Sequence, residues 1–374
     1  MRNTLFVIAG VWAIVVSGCT RQSAPSTPFR PTTESPSATA TVRLDYPTDT
    51  PLAPDFLVVY SRITEGRVEL FGRSGEGEDI RLTTDELTRE PLAYAPKSHE
   101  IVYVALVGDA GQTLKAINLK TLAVRELLAT PVPVVYSPVV SPDGEEIAYE
   151  FEDPITDQHR RNTRIITLID GTIRETIDNA FSLSWSAIGH GLAFMDSWPQ
   201  ESESRRHIRV RGYSEMVPEI HVPEAVELLR VIWNGERDEL LAIGEQPMTQ
   251  PNLYRVDLAT GEFHQLTVDT MVYPPVVVSP DGESMAFVSW PNEGNRLFVM
   301  RNDTLATQEF DFPTGWYLEP TWSQDGRYLA LKAMVFADLP PKDQLYLVDT
   351  HDGTWSTVGE ALVDEAIMRM VLVQ

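Results

Sequence analysis

A phrase repeats along this chain, and its spacing limits what the chain can fold into. VVSPDGEEIAY at 139–149 returns as VVSPDGESMAF at 277–287 and, in looser form, as TWSQDGRYLAL at 321–331. An apolar run leads into each turn and an alternating apolar run follows it. Pro presets φ at the second turn position, Asp bonds the local backbone, and Gly takes the positive φ that other residues avoid. The phrase therefore reads as a tight turn between antiparallel strands, with Asp143, Gly144, Asp281, Gly282, Asp325 and Gly326 as its structural residues. Degenerate copies lie at 91–105 (PLAYAPKSHEIVYVA), 183–195 (LSWSAIGHGLAFM) and 230–244 (RVIWNGERDELLAIG). Taken as equivalent anchors, Ala95, Ser141, Ser186, Asn234, Ser279 and Ser323 follow one another at steps of 46, 45, 48, 45 and 44.

A period near 45 with several short strands per unit is the signature of a propeller blade. After each turn comes a second strand (147–151, 285–290), then a third (165–169, 253–257, 345–349), and a fourth ending in forms such as IRLT at 80 and HQLT at 264. Asp170-Gly171, Thr260-Gly261 and Asp352-Gly353 supply hairpin turns between the third and fourth. The fold class is thus all-β, a propeller of four-stranded blades. DFLVVYS from 55, VELFGRS from 68 and DIRLTT from 79 give three outer strands without an inner one, while AIMRMVLVQ at the chain's end gives an inner strand without a blade. The expected solution is seven blades over 55–374, closed by the C-terminal strand, because closure removes exposed strand edges. A six-bladed ring is the alternative, with the last segment padding an edge. Trp185, Trp233 and Trp322 fall at equivalent inner-strand positions and read as packing between blades.

PVVSPDGEEIAY, VVVSPDGESMAF and PTWSQDGRYLAL, followed by LYRVDLATGEFHQLT, resemble the WD-like repeats of TolB-type propellers. The same repeats occur in the N-terminal propellers of the prolyl oligopeptidase and dipeptidyl-peptidase families. The resemblance covers nearly all of 91–358 and implies a fold far more than a function, since such propellers scaffold complexes, bind ligands or gate a protease domain. The chain ends with its last strand, so an appended hydrolase domain is not expected.

The N-terminus adds a location. Arg2 precedes an apolar run from Leu5 to Val16, too short for an ordinary membrane span and suited to a signal peptide over 1–19. Val16-Ser17-Gly18-Cys19 resembles the lipobox of bacterial lipoproteins, which implies cleavage before Cys19, lipidation of its thiol and an extracytoplasmic protein held to the cell envelope by acyl chains alone. Cys19 is the sole cysteine, so disulfides within the chain and Cys-based zinc sites are excluded. From 20 to 54, Pro, Ser and Thr make up 19 of 35 residues, a composition that cannot bury a core and serves as a tether.

Lys and Arg number 30 against 54 Asp and Glu, a formal charge of −24. A body this acidic repels phosphate backbones, so nucleic acid is not an expected partner. No Gly-x-Ser-x-Gly elbow, His-Glu-x-x-His, Walker loop or EF-hand loop occurs, and the histidines are scattered without ligand spacing. Neither catalytic residues nor a metal or cofactor is expected. Binding should sit where the repeats disagree, on the long connections 152–163, 196–206, 245–251 and 335–343, which share one face of a propeller. There Arg160, Arg161, Arg205 and Arg206 come from adjacent blades and could offer guanidinium forks to an anionic ligand. In the ordinary alternative, each Arg pairs with acids of its own loop, Glu152, Asp153 and Asp157 or Glu201 and Glu203. Tyr136, Tyr273, Trp198, Trp290 and Trp316 lie beside the same connections as candidate anchors for a protein or a glycan. The expected function is a non-catalytic binding or scaffold module for a protein partner in the envelope. The alternatives are a cell-envelope glycan or anionic ligand, or a polysaccharide hydrolase or lyase of unrecognised type.

Overall fold

The computed structural model describes residues 56–74, 79–88, 90–152, 161–187, 191–197, 206–213, 217–268, 271–289, 296–310, 315–335, 342–360 and 367–373. Seven antiparallel sheets follow one another along the chain as the blades of a propeller. Blade 1 takes its inner strand, Ile367–Leu372, from the far end of the chain, beside Phe56–Thr64, Arg67–Ser74 and Asp79–Arg81. Blade 2 runs outward as Ala93–Ala95, Glu100–Leu106, Gln112–Asn118 and Val124–Glu126; blade 3 as Val135–Val140, Glu146–Glu152, Arg161–Thr167 and Ile173–Ile177. Blade 4 comprises Ala180–Trp185, Leu192–Ser197 and Arg206–Arg211. Blade 5 is Glu227–Trp233, Glu239–Glu245, Asn252–Asp257 and Phe263–Gln265; blade 6 is Val272–Val278, Ser284–Ser289, Arg296–Arg301 and Thr307–Glu309. Blade 7 is Gly315–Trp322, Tyr328–Val335, Lys342–Asp349 and Trp355–Glu360. The ring has seven blades, and the C-terminal strand closes it.

The repeated turn owes its shape to one hydrogen-bond pattern. The Ser141, Ser279 and Ser323 hydroxyls each donate to an Oδ1, of Asp143, Asp281 and Asp325, at 2.5 Å. The same Oδ1 accepts the backbone N–H of Glu145, Glu283 or Arg327. Each serine oxygen in turn accepts an N–H from the start of the second strand, Glu146, Ser284 or Tyr328. Gly144, Gly282 and Gly326 hold φ near +70°, at 68°, 69° and 71°. Blades lock together through tryptophan: the Trp185 and Trp322 Nε1–H groups donate at 3.2 Å to Val139 O and Val277 O of the preceding blade. Trp233 instead donates to Arg237 O within its own turn.

Two features depart from the sequence-based expectation. Blade 4 has three hydrogen-bonded strands among the described residues. Where a fourth would run, residues 217–223 are not a strand, because Pro218 and Pro223 lack the N–H that a ladder needs. Ile220 and Val222 nevertheless bury their side chains with Ile208 and Val226, so the core is covered without a ladder. The third strand of blade 3 spans Arg161–Thr167 and stops short of Ile169, which is 82% exposed. The hairpin closes earlier, through Gly171 N–H to Thr167 O and Thr172 N–H to the Thr167 hydroxyl.

Inner strands are interrupted at matching places. Pairing with the second strand slips between Tyr136 and Val139, Phe181 and Ser184, Leu228 and Arg230, Tyr273 and Val277, and Leu318 and Thr321. Ser137, Ser182 and Glu319 take positive φ there. Bulges of this kind re-aim side chains. Here they line a central cavity of about 720 Å³ whose walls are mostly apolar, among them Pro138, Val140, Leu183 and Val276, with Arg230 as the charged group on its wall.

Candidate functional site

The long connections leave the second strands on one face of the ring, the loop face, and the described part of that face is organised around a buried carboxylate. Glu150, near the end of the second strand of blade 3, exposes 3% of its side chain. Its Oε1 accepts the N–H of Ser182, at the bulge of blade 4, at 2.8 Å, and its Oε2 accepts Arg161 Nη1 at 3.2 Å. Burial pushes the Glu150 carboxyl above the usual carboxylate range, against the pull of the Ser182 N–H and of the Arg161 and Arg230 charges. The neighbouring bulge is held in the same manner, by Glu90 Oε2 accepting Ser137 N–H at 2.9 Å.

Arg161 opens the third strand of blade 3 and exposes 47% of its side chain. Its guanidinium lies 4.3 Å from the centre of the Tyr136 ring, and the Tyr136 hydroxyl donates to Glu152 at 2.7 Å. Burial and that carboxylate push the Tyr136 hydroxyl up to about 12. The sequence-derived pair of Tyr136 and Arg161 is therefore one unit, an arginine laid on an aromatic face and anchored from behind. Among the described residues its ion-pair partner is Glu150, on the neighbouring strand.

Arg206 opens the third strand of blade 4. It donates to Leu228 O at the bulge of blade 5, faces Glu227 at 3.9 Å and lies 5.9 Å above the Phe181 ring. It also borders a cleft of about 960 Å³ with Glu224, Glu245 and Met248. Arg230, set by that same bulge into the central cavity, is a residue the sequence reading missed. Its one signal was a charge in the middle of an inner strand whose other residues after Glu227 are apolar, ELLRVIW. Cys19, Arg160, Arg205, Trp198 and Trp290 lie outside the described residues, and only the backbone of Tyr273 and Trp316 is described. Asp143, Asp281 and Asp325 each commit one carboxylate oxygen, Oδ1, to their turns. Among the described residues no three His, Cys, Asp or Glu side chains gather as metal ligands would.

No protein-family model matches the chain, and no curated protein matches it in sequence. Solved structures do match in shape. A prolyl endopeptidase superposes at a TM-score of 0.62 and 12% identity over 85% of this chain, which spans 50% of that enzyme's length. TolB from Acinetobacter baumannii superposes at 0.53 and 15% identity, covering 85% of this chain and 83% of its own. The chain shares the TolB-type propeller fold. An oligogalacturonate lyase from Vibrio parahaemolyticus shares it too, at 0.57 and 13% identity over 82% of this chain and 86% of the lyase. At such identities the likeness concerns the fold, and activity must be argued from the site.

Proposed function

We propose that this chain is a non-catalytic binding module of the cell envelope, lipid-anchored through Cys19, that engages a protein partner on its loop face. The observation that carries the reading is Arg161: half-exposed, stacked on Tyr136 and held from behind by buried Glu150. An arginine fixed in this way loses little conformational freedom on binding, and its outward N–H groups suit a carboxylate of the partner. Arg206 repeats the theme one blade on, over Phe181. Phe56–Thr64 is a second strand and so begins on the opposite, turn face, where Val373 N–H also bonds Leu57 O.

The test is crosslinking with mass spectrometry on native membranes bearing tagged protein, parent against a variant with Arg160, Arg161, Arg205 and Arg206 changed to Ala. A discrete protein captured by the parent and lost with the variant is the expected result. Equal capture by both, or none by either, would overturn the reading. The anchor is checked separately by Cys19→Ser, which should release the protein from the membrane fraction or leave it unprocessed.

A further inference from the structure

On the turn face, away from the arginines discussed above, a cleft of about 650 Å³ opens between blades 6 and 7. The preceding junction, between blades 5 and 6, is shut. There Gly235 packs so closely on Gly282 that a Cβ would collide, Arg237 Nε donates to Gly282 O at 3.2 Å, and Asn302 Nδ2 donates to Asn234 Oδ1 at 2.9 Å and Gly282 O at 2.7 Å. At the junction of blades 6 and 7 the turn glycine, Gly326, faces a carboxylate, with Asp281 Oδ2 3.4 Å from where its Cβ would stand. Trp322 lines the cleft and is the most exposed of the three equivalent tryptophans; Trp185 and Trp233 are buried at 8% and 3%.

The rim sets the chemistry of an occupant. Asp281 and Asp325 offer carboxylate oxygens, Arg301 and Arg327 offer N–H groups, and Gln308 offers both. The two arginines are already balanced, Arg301 by Glu283 at 3.1 Å and Arg327 by Asp349 at 2.6 Å. With both guanidinium groups already paired, the carboxylates set the charge of the rim, and an anion would meet them. A neutral ligand with alternating donors and acceptors on an apolar underside escapes that repulsion, because each of its hydroxyls can both donate to Asp and accept from Arg. We infer that the cleft between blades 6 and 7 is a binding site for a neutral saccharide, whose ring lies against Trp322 and whose hydroxyls are divided between the Asp and Arg rims. The site lies on the opposite face from the proposed protein-binding surface and does not depend on it.

The experiment follows the indole N–H resonances of 15N-tryptophan-labelled protein while cellobiose, maltose, lactose and N,N′-diacetylchitobiose are added in turn, with sodium sulfate as the anionic control. At least one disaccharide should shift the resonance that Trp322→Phe removes, and sulfate should not. Asp325→Asn should weaken that saccharide by roughly tenfold. Ala306→Trp, which fills the cleft from its exposed wall, should abolish the shift and leave the other indole resonances in place. The inference fails if no disaccharide moves the Trp322 resonance, if sulfate moves it equally, or if Ala306→Trp binds as the parent does.

Discussion

Leu372 pairs with Val58 in blade 1, and both side chains are buried in the core cluster that also holds Tyr60 and Met370. The ring is thus sealed by hydrogen bonds between the two ends of the propeller, and Val373 N–H adds a further bond to Leu57 O at 2.9 Å. Leu372→Ala should lower the unfolding free energy by about 2–5 kcal/mol, the range for truncating a core leucine. Removing 367–374 should cost more, because it uncovers Val58 and Tyr60 and leaves the Phe56–Thr64 edge unpaired. Urea unfolding of the two variants checks the order. A truncated protein with the parent's midpoint would refute closure.

Trp185 donates to Val139 O of blade 3, whereas Trp233 donates within its own turn. Trp185→Phe should therefore leave a carbonyl of the neighbouring blade short of a donor, adding about 1–3 kcal/mol to the lost ring volume. Trp233→Phe frees only the Arg237 carbonyl of its own turn and should cost less. Thermal denaturation of both variants decides the matter, and the reverse order would count against inter-blade locking by Trp185.

Gly66 and Gly171 both hold positive φ, at 82° and 71°. A Cβ at Gly66 would meet nothing within 4 Å, while one at Gly171 would collide with the Leu127 carbonyl oxygen of blade 2. Gly66→Ala should cost about 1–2 kcal/mol for the left-handed backbone alone. Gly171→Ala adds overpacking of about 1–3 kcal/mol to the same strain. Equal melting temperatures for the two variants would show that the blade 2 contact yields freely.

The turns, the blade period and the closing strand were legible because each rests on local chemistry that repeats: Ser, Asp and Gly at fixed offsets close the same hydrogen bonds at 141, 279 and 323. Local chemistry also explains why the described residues 217–223 form no edge strand on blade 4, although Pro218 and Pro223 are informative only once that segment is known to be an outer edge. The candidate site was half legible. Tyr136 and Arg161 were in view, but Glu150 reads in YEFED as one more polar residue of an alternating strand. Its burial comes from blade 4, whose bulge delivers the Ser182 N–H. The bulge itself has no sequence marker: Ser182 holds φ +59°, a conformation that serine seldom adopts. Arg230 was hidden for the same reason.

Two carboxyls should give stability opposite slopes in acid. The Thr167 hydroxyl and then the Thr172 N–H hold the Asp170 carboxyl down, from 3.8 to about 2. A depressed folded value means stability that is present above 3.8 and is lost as pH falls toward 2. Asp170→Asn should thus be less stable than the parent near neutrality, with the gap closing over that interval. Glu150 is raised from 4.5 chiefly by burial, and the raised value already includes the help of Arg161. Its protonated form is the one the fold prefers, so its contribution is fully present below 4.5 and is lost as pH rises through the folded value. Glu150→Gln keeps an oxygen for the Ser182 N–H and removes the buried charge. It should match the parent in acid and exceed it near neutrality. Urea titrations of both variants across the acid range provide the check: a Glu150→Gln protein less stable than the parent at neutral pH would mean that the ion pair with Arg161 outweighs the burial of its charge.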